Sequence, residues 1–173
     1  MTTRFSAMMA FLLLLVPGPL WAQHPAMPPG MSHEQHLAQL QHEEELKQRG
    51  NAAMGFDQDA VVHHFLLTPT GGAIDVEVRD PRETKTLDAI RTHLREIALQ
   101  FAAGDFGAPF ATHAEVPPGV PAMQRLKSTI TYSYGQTASG ARVDIATQNP
   151  EALAAVHEFL RYQIAEHHTG DRP

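Results

Sequence analysis

Eleven histidines and seven methionines, with no cysteine, are the residues of this 173-residue chain that carry a chemistry of their own. Neutral imidazole is the commonest metal ligand in proteins, and thioether sulfur is the soft donor left to a chain without thiolate. These donors fall into two groups. In the first, His24, Met27, Met31, His33, His36 and His42 crowd into nineteen residues. A flexible arm pairing thioether with imidazole suits Cu(I) or Cu(II), and His33 and His36 share a helix face at i, i+3. In the second group, His63, His93 and His167 lie on or beside apolar faces of the folded region. His63 and His64 are strand neighbours facing opposite sides, so only one of them joins a given site. Met54, just before the first strand, and Met123, in a long connector, are the soft ligands within reach of a sheet end. Asp57 and the carboxylates of the exposed sheet face are the acceptors that would hold an imidazole tautomer. His157, on a helix flank, ranks below His167 as a donor. The plainer alternative for every inward histidine is a hydrogen-bonded core residue.

Other chemistries are poorly served. The chain has no Gly-x-Ser-x-Gly elbow, P-loop, dinucleotide-binding glycine fingerprint or cysteine nucleophile, so an enzyme built on it would be metal-assisted. Asp75, Glu77 and Asp144 alternate with apolar residues and read as a solvated strand face. Tyr132 and Tyr134, at strand spacing, read as core more readily than as a ligand pocket. A formal net charge of −6 has the wrong sign for a nucleic-acid partner. Without cysteine, neither a disulfide framework nor a lipoprotein anchor is expected. The 43% hydrophobic and 18% charged content is that of a globular domain, while 13 Pro and 12 Gly require irregular stretches.

The elements that must position the donors can be read from patterning. Arg4, an apolar run over 7–16 and the Pro17-Gly18-Pro19 break read as an export leader over residues 1–22, cut after Ala22. Ten apolar residues are too few to span a bilayer, so a periplasmic or secreted location without stable membrane insertion is expected. Residues 23–31 are too proline-rich for regular structure. Ser32 then offers an N-cap with Gln35 as its capping-box partner, and Gly50 a stop, predicting a peripheral, mostly polar helix over 33–49. Residues 23–53 thus form a His/Met/Pro-rich tail and helix ahead of a domain over 54–173.

That domain contains an internal repeat. Residues 62–67 and 73–78 form a hairpin pattern, followed by Asp80-Pro81 and a helix over 82–103. Residues 130–134 and 141–147 form a second, followed by Asn149-Pro150 and a helix over 151–168. Ile74-Asp75-Val76 aligns with Val143-Asp144-Ile145, each Asx-Pro pair provides an N-cap and an N1 proline, and the helix cores Leu87/Ile90/Leu94 and Leu153/Val156/Leu160 keep one spacing. The expected fold is α+β: two ββα repeats, over about 61–103 and 128–168, forming a four-stranded antiparallel sheet with two helices on one face. The connector over 104–127 is too long to be passive, and its aromatics are expected to cap one end of the core.

The segments MGFDQ (54–58), HHF (63–65), GVPAMQRL (119–126) and HEFLR (157–161) resemble those of a family of small exported bacterial proteins without an assigned activity. The resemblance spans about 54–171 and implies a self-contained domain with a removable tail.

Three functional readings follow. The leading one is an exported metal-binding protein, copper before zinc, acting in metal handling or resistance through His63 or His64, His93 and His167 with Met54 or Met123. The second is a ligand-binding or protein-interaction module with structural histidines. The third is a haem-binding or metal-dependent enzyme with an open coordination position.

Overall fold

A computed structural model describes residues 29–173; the expected leader over 1–22, His24 and Met27 lie outside the described residues. The chain divides into a unit ending at Leu37 and a compact unit, Ala38–Pro173. In the described part of the first, Ser32 caps helix α1 (His33–Met54). Its Oγ accepts from Gln35 N at 3.2 Å, and its own N–H donates to Gln35 Oε1 at 2.9 Å. This is the expected reciprocal box.

The helix does not stop at Gly50. It continues to Met54, and Gly55, at φ +78°, ends it. Gly50 is needed for close approach instead: a Cβ there would lie 2.2 Å from Gln58 Nε2, and that amide donates to Lys47 O at 3.2 Å. With Leu46 only 5% exposed, the second half of α1 is an integral part of the compact unit. The unit therefore begins at Ala38 rather than near Met54.

The compact unit is α+β. Strands β1 (Val61–Thr68) and β2 (Gly71–Val78) form one hairpin, β3 (Ile130–Gln136) and β4 (Gly140–Thr147) the other. The sheet is antiparallel throughout, in the order β1-β2-β4-β3. The aligned repeat residues Ile74 and Val143 are themselves cross-strand partners, so the two hairpins meet about a pseudo-twofold axis. Helices α2 (Thr84–Ala103) and α5 (Pro150–Glu166) cover one face. Each helix leans toward the hairpin of the other repeat: α2 packs mainly on β3 and β4, α5 mainly on β1 and β2. Neither ββα half could close its core alone.

Ile90, Leu94 and Phe101 of α2 and Val156, Phe159 and Leu160 of α5 are essentially fully buried against Val76 and Val143. Burying each such side chain contributes roughly 1.5–3 kcal/mol before conformational entropy is subtracted. The second Asx-Pro pair behaves as expected: Asn149 Oδ1 accepts from Glu151 N and Ala152 N, with Pro150 opening α5. The first does not. Asp80 is taken by the backbone and guanidinium of Arg82, and α2 starts only at Thr84.

The connector folds into two short helices, α3 (Gly107–His113) and α4 (Val120–Arg125). Phe106 stacks on Phe101, centroids 4.4 Å apart, and caps the core as expected; Phe110, 52% exposed, does not.

Candidate functional site

The register of β1 on β2 sets the first component of the site. Phe65 pairs with Ile74 and His63 with Val76, so period-two alternation turns His63 to the helix-covered face and His64 away from it. Residues from four other elements arrive above His63. His93 comes from the flank of α2, His167 from the C-cap of α5, His113 from the last turn of α3, and Met54 from the end of α1. All five line one cavity of about 60 Å³, together with apolar residues such as Phe65, Leu94 and Ile97, and with Thr112 and Gln163. None of the lining residues is a carboxylate, lysine or arginine.

The rings form a continuous stack. His63 lies face to face with His167, centroids 5.8 Å apart at 16°, and with Phe56 and Phe65 at 6.3 Å. His93 meets Phe56 edge-on at 5.8 Å, and His113 meets His167 edge-on at 5.2 Å. His113 Nε2 donates to Gln163 Oε1 at 3.0 Å. That bond leaves Nδ1 with the lone pair, buried and without a partner; His63 Nε2 is likewise buried and unpartnered. Asp75 Oδ1, Tyr132 OH, Tyr134 OH, Thr137 Oγ1 and Gln163 Nε2 are unpartnered too, so what marks this site is the convergence of unpartnered imidazole nitrogens on one cavity.

Burial holds these imidazoles neutral. It drives His63 and His93 down to about 4 and His167 to about 3, and neighbouring imidazoles add to the effect at His63 and His167. His113 is also lowered by burial, against the opposing hydrogen bond to Gln163 and the charge of Glu166. The result is four uncharged nitrogen donors and a thioether around an apolar space. Among the described residues, however, no three His, Asp or Glu side chains already converge as a metal ion requires. The rings present faces and edges to one another, and coordination would need side-chain rotation.

Beside this space lies a wider, polar pocket of about 320 Å³ that shares His63 and His167 with it. Glu43, Asp59, Glu166 and Arg79 line the outer pocket. His42 donates to Glu166 at 3.1 Å there, and His168 lies 3.5 Å from Glu43.

Three histidines and one methionine singled out in the sequence, His63, His93, His167 and Met54, thus share a cavity. The other candidates among the described residues lie outside it, His64 as the strand alternation requires. His64 donates through Nδ1 to Asp171 Oδ1 at 2.9 Å, while Asp171 Oδ2 accepts from Phe65 N at 2.9 Å; His64 helps pin the C-terminal segment to the edge of β1. Met123 is fully buried in the core and does not line the cavity. Asp57 caps a 3-10 turn at Gln58–Ala60 and reaches no imidazole. His157 Nε2 donates to Thr68 O and Gly71 O, both at 2.9 Å, and closes the β1–β2 turn. Tyr132 packs edge-on against Phe101 and Tyr134 lies under Arg95. Of the tail donors, His33 and His36 lie on the first turn of α1, with Met31 just ahead of it.

His113 was not legible in the sequence because its seven-residue helix carries no readable period. Gln163 did leave a signal: a polar residue on the apolar stripe of α5, one turn before His167. Fold and site together define a small α+β domain enclosing an imidazole-lined cavity. No protein family, curated protein or solved structure matches the chain. Among the described residues, no helix is long and apolar enough to cross a membrane.

Proposed function

We propose that this chain is an exported metal-binding protein, with copper favoured and zinc second, acting in metal handling or resistance by sequestration or transfer rather than turnover. One observation carries the reading. Four neutral imidazoles and the Met54 thioether, drawn from five separate elements, line a single cavity in which His63 Nε2 and His113 Nδ1 are left without partners. Leaving a buried polar atom unsatisfied costs about 1–3 kcal/mol, a cost that a bound ion would remove. The donor set, imidazole plus thioether with no thiolate, matches copper. A volume of about 60 Å³ also favours an ion over a macrocycle such as haem, since pockets for sizeable ligands run from roughly 300 Å³ upward. The Met/His tail, His24, Met27, Met31, His33 and His36, would be a weaker, separate binder on the same chain.

The test is anaerobic titration of the untagged protein with Cu(I), Cu(II) and Zn(II) against chromophoric chelators. It is run beside a tail variant with those five residues replaced by Ala and a cavity variant, His63→Phe with His93→Leu. One tight equivalent kept by the tail variant and lost by the cavity variant supports the reading. Binding lost with the tail and kept by the cavity variant overturns the cavity as the site, and absence of any binding overturns the metal reading altogether.

A further inference from the structure

The cavity is selective for charge as well as for donor type. We infer that it takes copper only as the monovalent ion, Cu(I), and discriminates against Cu(II) and Zn(II); this rests on the metal reading above.

The argument begins with what the lining lacks. No carboxylate reaches the cavity, so an ion inside keeps its full charge. The cost of moving an ion from water into apolar surroundings rises with the square of its charge, so a divalent ion meets about four times the penalty of a monovalent one. Neutral imidazoles and a thioether offset the smaller cost far more easily than the larger. The charges just outside are of both signs. Glu166 Oε2, 4.0 Å from His113 Nδ1, accepts from His42 and keeps its negative charge, but it stands outside the lining. Glu115 accepts from Tyr162. Arg79, in the outer pocket, and Arg49, bonded to Thr112 O, add positive charge on the same side.

Donor softness points the same way: thioether sulfur selects Cu(I), whereas zinc is served by imidazole alone. His63 Nε2, Met54 and one neighbouring imidazole would make a thioether-bearing set once their side chains rotate to converge. The carboxylates gather instead in the adjoining polar pocket. A hydrated divalent ion meets carboxylates there, whereas the inner cavity offers it none.

The experiment uses the full untagged chain carrying the tail substitutions, titrated anaerobically with Cu(I), with Ag(I) as a redox-inert monovalent probe, and with Cu(II) and Zn(II). Cu(I) and Ag(I) are expected to bind one equivalent at least about a thousandfold more tightly than either divalent ion. Gln163→Glu places a carboxylate on the lining and should narrow that gap at least about tenfold, the low end of changes beside metal-bound imidazoles. Met54→Leu, which tests the same claim should Gln163→Glu fail to fold, should weaken Cu(I) and Ag(I) about tenfold or more while leaving Zn(II) unmoved. Zn(II) or Cu(II) binding as tightly as Cu(I), with loss on His63→Phe, overturns the charge selectivity and leaves the metal site standing. Failure of all four ions to bind overturns both.

Discussion

Replacing His63 by phenylalanine is expected to stabilise the metal-free protein while removing the central donor of the cavity. The ring sits between Phe56, Phe65 and His167, with centroids 5.8–6.3 Å away, so a phenyl group keeps the stacking, and the adjacent cavity of about 60 Å³ receives its extra volume. The substitution removes the unpartnered Nε2, which costs about 1–3 kcal/mol. Allowing for imperfect repacking, the variant should gain about 1–2 kcal/mol at pH 7, or roughly 3–8 °C in Tm. The pH dependence is the sharper readout. His63 has its ordinary value of 6.5 when unfolded and about 4 when folded, chiefly through burial. As pH falls, the unfolded chain takes up the proton first. The contribution is therefore whole above about pH 6.5 and is lost as pH falls toward 4. A shift of that size is worth at most about 3 kcal/mol, part of it repulsion from a charged His93. Urea unfolding at pH 7 and pH 4.5, with chelator present, should show a smaller acid loss in His63→Phe than in the parent. A variant less stable than the parent at pH 7 by more than about 1 kcal/mol, with an unchanged acid limb, would refute the reasoning and assign His63 a structural role.

Three further outcomes follow from the same geometry. Asp171→Ala removes the acceptor for Phe65 N and His64 Nδ1; it should cost about 1–2 kcal/mol and speed hydrogen exchange at the Phe65 amide, and an unchanged exchange rate would show that the C-terminal segment is not held there. His157→Phe leaves Thr68 O and Gly71 O without their shared donor and should destabilise by about 1–2 kcal/mol while giving the same copper titration as the parent, as titration and thermal melts on one sample would show. Gly119→Ala would set a Cβ 2.2 Å from Ala155 O at a φ of +82°; a loss of about 2 kcal/mol or more is expected in denaturant titration, and a neutral result would contradict the close packing of α4 on α5.

The α+β class and its two ββα repeats were legible because they rest on local patterns. Alternation in residues 73–78 and 141–147 is a period of two that only a half-covered strand satisfies, and the Leu87/Ile90/Leu94 and Leu153/Val156/Leu160 spacings are helical. Element ends were less legible wherever a side chain outside the repeat pattern intervened: Gln58 requires the smallness of Gly50 inside a helix, and Arg82, two residues on, competes for the carboxylate expected to cap α2.

For the site, the sequence by itself determined which side of its strand each histidine takes. Side-chain direction on a strand is a local property, so His63 inward and His64 outward follow from the neighbours Phe65 and Leu67. It could not decide which inward donors meet. That is a matter of which helix covers which hairpin, and α5 carries His167 across to β1 of the other repeat. The same crossing brings Gln163 to His113 from the connector, 50 residues away in sequence, and leaves Met123 in the core while Met54 reaches the cavity. Tertiary packing also decided the charge of the site. Composition alone offers nineteen acidic residues, yet burial of an ionised carboxylate without a partner is so costly that the cavity closes on neutral donors, and the acids remain in the water-facing pocket outside.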